Sequence, residues 1–536
     1  MKKNLPHILI LLVIYLLALG IRIYWLSHKN GFHVDEGMAL TLSSYKEYTM
    51  VKNYDINREY TGKEVKDSTL VSNTNLKEAL DDIKKLWKDN RDAPHTNLYY
   101  TLLRIFMTGQ RTSDIKQIIF RGGTLNLLLF TLSFIFFFLL IKNLFPGPAL
   151  LQYSALLCAF LSTATISNTL FFRPYQIQET MFIVFCYYFI KTLDYKKYII
   201  DNDKRYISKS LVPFSLITAI TLLTGYYAIL FIVLFGLYVV YIQCKEKKYA
   251  EIKFYLLVLC LGVLFAQAFY LKFLDGFGSY RATETTRTIS GNAGENLKNS
   301  VIAAGTLIHK HFFTYPVITV CVLCLLYLLL RRQKLFVQKH SLYIFIAAVV
   351  YFLVTLIIAP YKILRYGMPV YPFFIILPLI IINSTIKKAQ KISFAAVILL
   401  TLSFLPGAVS QNKLENLFRH KPDEYIFARE KNVPVYVYMH YYANWNYMDL
   451  WKYANLIPYL NDEQKYYFIT NYQDLYDVPY DEFYLVMEKF WGLEESGYLD
   501  DRRFEVLEEM KITGGEPETA GGLGYYYICR KLKPAD

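Results

Sequence analysis

The 536-residue chain is poor in charge: Asp, Glu, Lys and Arg make up 19% of it, against about a quarter in ordinary soluble domains. It has no P-loop, no Gly-rich dinucleotide turn, no Cys/His set at zinc spacing and no internal repeat. Nothing therefore points to a phosphate-loop NTPase, a dinucleotide enzyme, a zinc protein or a solenoid. Six of the seven cysteines lie in or beside apolar runs and only Cys529 falls in the polar tail, so no disulfide framework is implied. With 54% hydrophobic and 17% aromatic residues, the chain is neither disordered, collagenous nor coiled-coil.

What the chain does have is repeated apolar runs of about 18 to 20 residues, the length that crosses a bilayer. The net charge of +14 would suit nucleic acid, but its placement argues for a lipid bilayer as partner and no nucleic acid. Basic residues cluster in short linkers between apolar runs, as the positive-inside rule produces. Eleven spans are expected, with cores near 8–26, 118–141, 149–167, 176–193, 208–223, 226–243, 252–273, 313–330, 342–359, 367–385 and 392–409. Basic linkers before the first span and after the fourth, sixth, eighth and tenth then fall on one side, the cytoplasmic one. Thr224-Gly225 marks a turn that splits 208–243 into a hairpin. The first run has a basic start but no small-residue cleavage site after it, and reads as a retained helix.

The expected fold class is a polytopic α-helical membrane protein with a C-terminal extracytoplasmic α/β domain. Residues 1–409 would form the membrane domain, including outer loop 27–117, and 410–536 the outer domain. Val433–Met439, Tyr466–Thr470, Phe483–Met487 and Tyr525–Arg530 read as strands, with helix-like stretches between them. In loop 27–117, Leu98–Met107 is apolar but covers only about half a bilayer as a helix, so it reads as interfacial or re-entrant. Thr74–Trp87 places Leu76, Ala79, Leu80, Ile83, Leu86 and Trp87 at helical spacing with Lys and Asp opposite, as in a helix lying on a membrane surface. Loop 274–312 carries Arg281, Arg287, His309, Lys310 and His311 among Gly, Ser and Thr, and reads as flexible.

Four segments could carry chemistry, and all fall on the outer side. The first is His33-Val34-Asp35-Glu36-Gly37: two carboxylates beside a bilayer are costly unless solvated, partnered or functional. The second, Asp92 to Tyr100, puts Asp92, His95, Asn97 and Tyr99 at the entry to the short helix; a capping turn explains one of them. The third is Arg173-Pro174-Tyr175 with Glu179 one turn deeper. Pro at a helix start is ordinary and Arg173 can snorkel to headgroups, whereas an acid inside a span usually faces a cavity or a partner. The fourth is Lys362, Arg365 and Tyr366 in a short outer loop, against the charge bias; an anionic ligand or headgroups would each explain them.

Carboxylates and cations on distant segments at one membrane face suit a phosphate-bearing lipid. Its chain would lie between spans while its phosphate meets Arg and Lys. A carboxylate could then deprotonate an acceptor hydroxyl, and a lipid phosphate would leave as a stable anion needing no general acid. Partial burial is expected to raise the Asp35 pKa and strengthen it as a base.

This pattern resembles the GT-C superfamily of polytopic glycosyltransferases, and within it glycosyltransferase family 39 and the bacterial aminoarabinose transferases. The resemblance rests on Asp35-Glu36, the Asp92-to-Tyr100 stretch, Arg121, Arg173 and Tyr175, Gly225-Tyr226-Tyr227, Arg365-Tyr366 with Pro369, and the outer tail. It implies transfer of a sugar from a polyprenyl-phosphate donor to a glycan, glycolipid or protein acceptor on the outer side of the membrane, typically with inversion. It assigns Asp35 as catalytic base, with Glu36 positioning the base or the acceptor. Arg173, Lys362 and Arg365 are its candidates for the lipid phosphate, and Asp92, His95, Tyr99, Tyr175, Glu179 and Tyr366 complete the expected binding set. Family members commonly carry two prolines and a leucine before the short helix; here the stretch reads Pro94-His95-Thr96-Asn97-Leu98, so the sugar cannot be inherited. Some relatives hold a divalent metal, for which Asp35, Glu36, Asp92 and His95 are the available residues, although no metal or other cofactor is expected here. The location expected is a bacterial inner membrane.

Two other readings stand beside the transferase. One is a flippase for polyprenyl-linked glycans, which would show repeats and mid-membrane charges. The other is a glycan ligase or polymerase using a lipid-diphosphate donor.

Overall fold

The computed structural model describes residues 5–44, 55–56, 58–70, 75–90, 95–110, 113–194, 207–246, 249–278, 283, 286–288, 293–386, 389–418, 425–439, 441–442, 447–448, 453, 456–476, 478–488, 504–513 and 526–534. Asp92, Pro94 and Arg281 lie outside them.

The chain opens with α1 (Leu5–His28), a long apolar helix, followed after five residues by α2 (Val34–Ser44). After β1 (Tyr60–Thr61) come α3 (Gly62–Leu70), α4 (Leu76–Lys88) and α5 (Leu98–Met107). The next four are α6 (Ile115–Leu144), α7 (Ala149–Phe160), α8 (Thr163–Leu170) and α9 (Tyr175–Asp194). The remaining bundle contains α10 (Val212–Leu222), α11 (Ala228–Glu246), α12 (Tyr249–Phe269), α13 (Ala293–His311), α14 (Tyr315–Leu330), α15 (Lys339–Ile358), α16 (Ile376–Ile386) and α17 (Gln390–Leu402).

Among the described residues, seven helices are long and apolar enough to cross a membrane, or nine if two bent pairs each count as one span. The protein is a multi-pass membrane protein. Helices occur at all eleven expected positions. The two beyond nine are α9, whose first turns carry Gln176, Gln178 and Glu179, and the short helical run Ile207–Leu222. The bend of 53° between α7 and α8 has a local cause: Ser162 caps α8 by accepting from Thr165 N, which ends one helix and starts another. The Thr224-Gly225 hairpin is present, with Gly225 at φ 152°, where a side chain would be strained.

Loop 274–312 departs from the flexible reading. About half of it is α13, a 19-residue helix that meets α14 at 91°. Gly and Ser punctuate its start, but the run Glu295–His311 has enough apolar residues to pack: Ala304 and Leu307 are buried. In α4, Asn75 caps the helix through Glu78 N, and Ala79 and Leu86 are buried while Leu76 and Leu80 stay exposed. Asp82 does not belong to a solvated face. It turns inward to the buried Arg104 of α5, with Oδ2 2.8 Å from both Nε and Nη2. That pair explains a charge in an otherwise apolar short helix.

The C-terminal unit is a small mixed sheet in the order β1-β5-β2-β6-β8-β7. Its strands are β2 (Val435–Tyr438), β5 (Lys465–Ile469), β6 (Phe483–Glu488), β7 (Phe504–Thr513) and β8 (Tyr526–Pro534); β3 (Tyr441–Tyr442) and β4 (Tyr447–Met448) pair separately. The central strands β5, β2 and β6 run parallel, and their near-continuous apolar sequence fits burial on both faces. The strand β7 was not foreseen, because its exposed face is a run of Glu and Lys. The edge strand β1 comes from the first loop, pairing Tyr60 with Tyr466. A second tie is the ion pair between Lys66 and Asp462. The first loop and the C-terminal unit are thereby stitched together above one end of the bundle.

Candidate active site

The geometry of α2 separates its two carboxylates. Adjacent helical residues point about 100° apart, so Asp35 and Glu36 cannot share an environment. His33 caps the helix: its Nδ1 accepts from Asp35 N at 3.0 Å, and its carbonyl accepts from Glu36 N and Gly37 N.

Glu36 points inward and is fully buried. It accepts from Lys29 Nζ at 3.0 Å, His33 N at 2.7 Å and Phe172 N at 2.9 Å. Lys29, also fully buried, donates in addition to the Asn416 carbonyl at 2.6 Å. Burial raises the Glu36 pKa against the pull of Lys29 and the two backbone N–H groups. One carboxylate therefore joins α1, α2, the α8–α9 turn and the start of the C-terminal segment. This is the work of a clamp, and no acceptor could reach it.

Asp35 points the other way and keeps 22% of its side chain exposed. Arg365 forms an ion pair with Asp35 Oδ2, and the His33 ring sits 3.7 Å from the same oxygen. Burial alone would raise the Asp35 pKa, but Arg365, aided by His33, Arg173 and His95, holds it below the usual carboxylate range. This corrects the expectation of a raised value: the cations outweigh desolvation. His33 is lowered to about 4 by burial and by the surrounding Arg365, Arg173 and Lys29, partly offset by Asp35, so it is neutral at pH 7.

Arg173 reaches the site from the turn before α9. It donates to Tyr100 Oη at 2.9 Å and to the Asp35 carbonyl at 3.3 Å, and its Nη2 lies 2.7 Å from His95 Nε2. The turn owes its shape to Pro174 at the head of α9 and to the Arg173 N–H bonding the Phe171 carbonyl. Aromatic rings wall the same region: Tyr175 stacks on Phe171 at 5.8 Å, and Tyr366 meets Tyr175 and Tyr227 edge-on at 6.3 and 6.0 Å.

The structure thus brings Asp35, His95, Arg173, Tyr175, Arg365 and Tyr366 together from four distant segments. Other expected members stand apart. Lys362 donates to the carbonyls of Ala359 at 2.9 Å and Ile357 at 3.4 Å, closing the C-terminal end of α15; burial lowers its pKa. Glu179 accepts from Asn168 at 2.9 Å and Gln176 at 3.1 Å within the helix interior. That network continues through Thr169 to the buried Arg22. Tyr99 Oη donates to Asn126 at 3.3 Å rather than to a group of the Asp35 site. Sequence reading did not single out Lys29 or Tyr100, nor place His33 among the site residues. A lysine seven residues before Glu36 was the available signal for the clamp.

Among the described residues, no group of three or more His, Cys, Asp or Glu is arranged to hold a metal ion. The suggested set fits a cation poorly for a chemical reason: Asp35, Glu36 and His95 are each already bonded to Arg365, Lys29 and Arg173.

No protein-family profile matches the chain, and no curated protein sequence does. Similarity appears in three dimensions. The structure of ArnT from Cupriavidus metallidurans bound to undecaprenyl phosphate superposes with a TM-score of 0.53 at 11% identity, covering 97% of each chain. The apo structure of the same protein gives a TM-score of 0.48 at 10% identity over the same share. The similarity covers the fold of nearly the whole chain: a membrane helix bundle followed by a small mixed-sheet domain.

Proposed function

We propose that the protein is a membrane glycosyltransferase. It moves a sugar from a polyprenyl-phosphate donor to an acceptor hydroxyl on the extracytoplasmic face. The observation that carries this reading is Asp35: a partly accessible carboxylate at the bundle end, facing two arginines from distant segments. The ArnT fold, solved with undecaprenyl phosphate, supports the choice of lipid.

In this reading Asp35 takes the proton of the acceptor hydroxyl as its oxygen attacks the anomeric carbon. The bond from that carbon to the phosphate oxygen breaks, and the electron pair leaves with the polyprenyl phosphate. Attack opposite the leaving group inverts the anomeric centre. Arg173 and Arg365 neutralise the growing negative charge on the phosphate, which is where electrostatic stabilisation has most effect. His95 and Tyr100 hold the Arg173 guanidinium in place. Tyr175, Tyr366 and Tyr227 provide apolar walls for sugar or isoprenoid. Glu36 holds α2 and never meets substrate. Arg22 and Glu179 are internal charges, but Arg22 lies only about 9 Å along the helix from the His28 end of α1, so they form an outer-end brace rather than a mid-membrane path.

The test is transfer of labelled sugar from a panel of polyprenyl-phosphate donors in membranes containing wild type or Asp35→Asn. Wild-type transfer with the variant reduced at least about a hundredfold supports the reading. Consumption of no donor by wild type, with labelled lipid crossing the bilayer, would replace it with a flippase.

A further inference from the structure

The resting site contains a contradiction if Asp35 is a base. A guanidinium occupies the carboxylate oxygen that would receive the proton, and with the neighbouring cations it makes that carboxylate a weak proton acceptor. A base in that state has little driving force toward a sugar or serine-type hydroxyl. The same guanidinium is a candidate for the donor phosphate, and one end cannot bind both anions at full strength.

We propose that Arg365 is passed from Asp35 to the donor phosphate, so that binding of the donor unmasks the base. This deepens the transferase reading and rests on it.

Three observations carry the transfer. First, Arg365 bonds Asp35 through Nη1 alone, and its buried Nε has no hydrogen-bond partner among the described residues. Its other neighbour is the Tyr366 side chain, so a guanidinium with Nε to spare matches the two-oxygen face of a phosphate better than its present one-oxygen contact with the carboxylate. Second, Arg365 sits on a short 3-10 turn, Leu364–Tyr366, in a loop rather than inside a span, while its partner Asp35 sits on a helix held by the Lys29–Glu36 clamp. The long arginine side chain can therefore swing without moving the helix that carries Asp35. Third, Arg173 bonds the Asp35 backbone carbonyl and not its carboxylate. It can remain in place when Arg365 moves, so the site keeps one cation oriented throughout.

The exchange follows the chemistry. The donor phosphodiester carries one negative charge, enough to compete with a carboxylate for Arg365. As the sugar departs, the phosphate monoester gains charge and holds Arg365 more tightly, so the interaction strengthens along the reaction. When polyprenyl phosphate leaves and Asp35 has passed the acceptor proton to water, Arg365 returns to the carboxylate. Between turnovers the base is masked.

The experiment is binding of undecaprenyl phosphate to the purified full chain in detergent. The proteins are wild type, Asp35→Asn, Arg365→Ala and the double variant, each checked for monodispersity and melting temperature. Because Asp35 competes for Arg365, Asp35→Asn should bind the lipid phosphate about tenfold or more tighter than wild type, the low end of close charge-pair couplings. Arg365→Ala should bind more weakly, and removing Asp35 in that background should bring no gain. Equal or weaker binding by Asp35→Asn, with wild type binding normally, overturns the exchange and leaves the transferase reading intact. Tightening of the same size without Arg365 also overturns it, because general loss of negative charge would then be the cause. If wild type binds no polyprenyl phosphate, the donor reading and the exchange fall together. Should Asp35→Asn melt far below wild type, Asp35→Ser supplies the same comparison without the amide.

Discussion

Two ion pairs meet at the first turn of α2. Lys29 and Glu36 have neither side chain exposed, and Glu36 accepts from three donors at 2.7 to 3.0 Å. Asp35 and Arg365 keep 22% and 11% of their side chains exposed, and Arg365 leaves buried Nε without an acceptor among the described residues. The same two chemical groups, a carboxylate and a long cation, thus build one satisfied pair and one that is unfinished. A buried pair with all its bonds made resists change, because either charge left alone is severely penalised. A partly exposed pair with a donor to spare can exchange partners. Rigidity under the site and exchange within it follow from adjacent residues pointing about 100° apart on one helix.

The contrast is broken most sharply at Asp35. Asp35→Asn should lower turnover about 10²- to 10⁴-fold, at a smaller cost in melting temperature than a change at Glu36, read by transfer assay and thermal unfolding side by side. Glu36→Gln should do the reverse. It leaves Lys29 buried without its counter-charge and should cost about 3–5 kcal/mol of stability, with surviving folded protein retaining turnover. If Glu36→Gln instead removes activity in protein that melts normally, the division of labour between the pairs is wrong.

Gly367 offers a finer probe, since a Cβ there would overlap the Phe352 ring beside the Arg365 turn. Gly367→Ala should cost about 1–3 kcal/mol through overpacking and weaken donor binding by displacing Arg365. Adding Phe352→Ala to make room should restore much of that binding.

The pH response sharpens the same contrast. His33 has a folded pKa of about 4, below its ordinary value, so the unfolded chain binds more protons in between. Its contribution to stability is complete above about pH 6.5 and declines as pH falls toward 4. The contribution of Asp35, whose pKa is also lowered, is lost only at still lower pH. Unfolding midpoints from pH 8 to pH 4 should show the first decline, and His33→Gln should flatten it. The smallest effect is expected at Lys362, whose ammonium is engaged by helix-end carbonyls. Lys362→Ala should change donor affinity by no more than about twofold, against the larger loss at Arg365.

Much of this architecture could be read from composition and spacing. Apolar runs of bilayer length mark helices wherever they occur, because every backbone polar group in lipid must be satisfied within its own segment. The short helix Leu98–Met107 and the Thr224-Gly225 turn follow from local signals, an apolar run too short to span and a residue suited to an unusual φ. By contrast, α13 was hidden by the Gly- and Ser-rich residues at its start, and β7 by charges that suit one exposed face of an edge strand. The sequence also named Asp35, Arg173 and Arg365 as chemistry. It could not say which of Asp35 and Glu36 faces the site, because both suit a helix start equally. Nor could it show that Lys362 is occupied by helix-end carbonyls, that Glu179 is satisfied within the bundle, or that Arg365 masks Asp35. Hydropathy and charge bias act through residues near one another in the chain, so the sequence alone determines where helices form and which end gathers charge. Which cation meets which carboxylate depends on contacts between residues as far apart as 35 and 365, and only the packed bundle decides those.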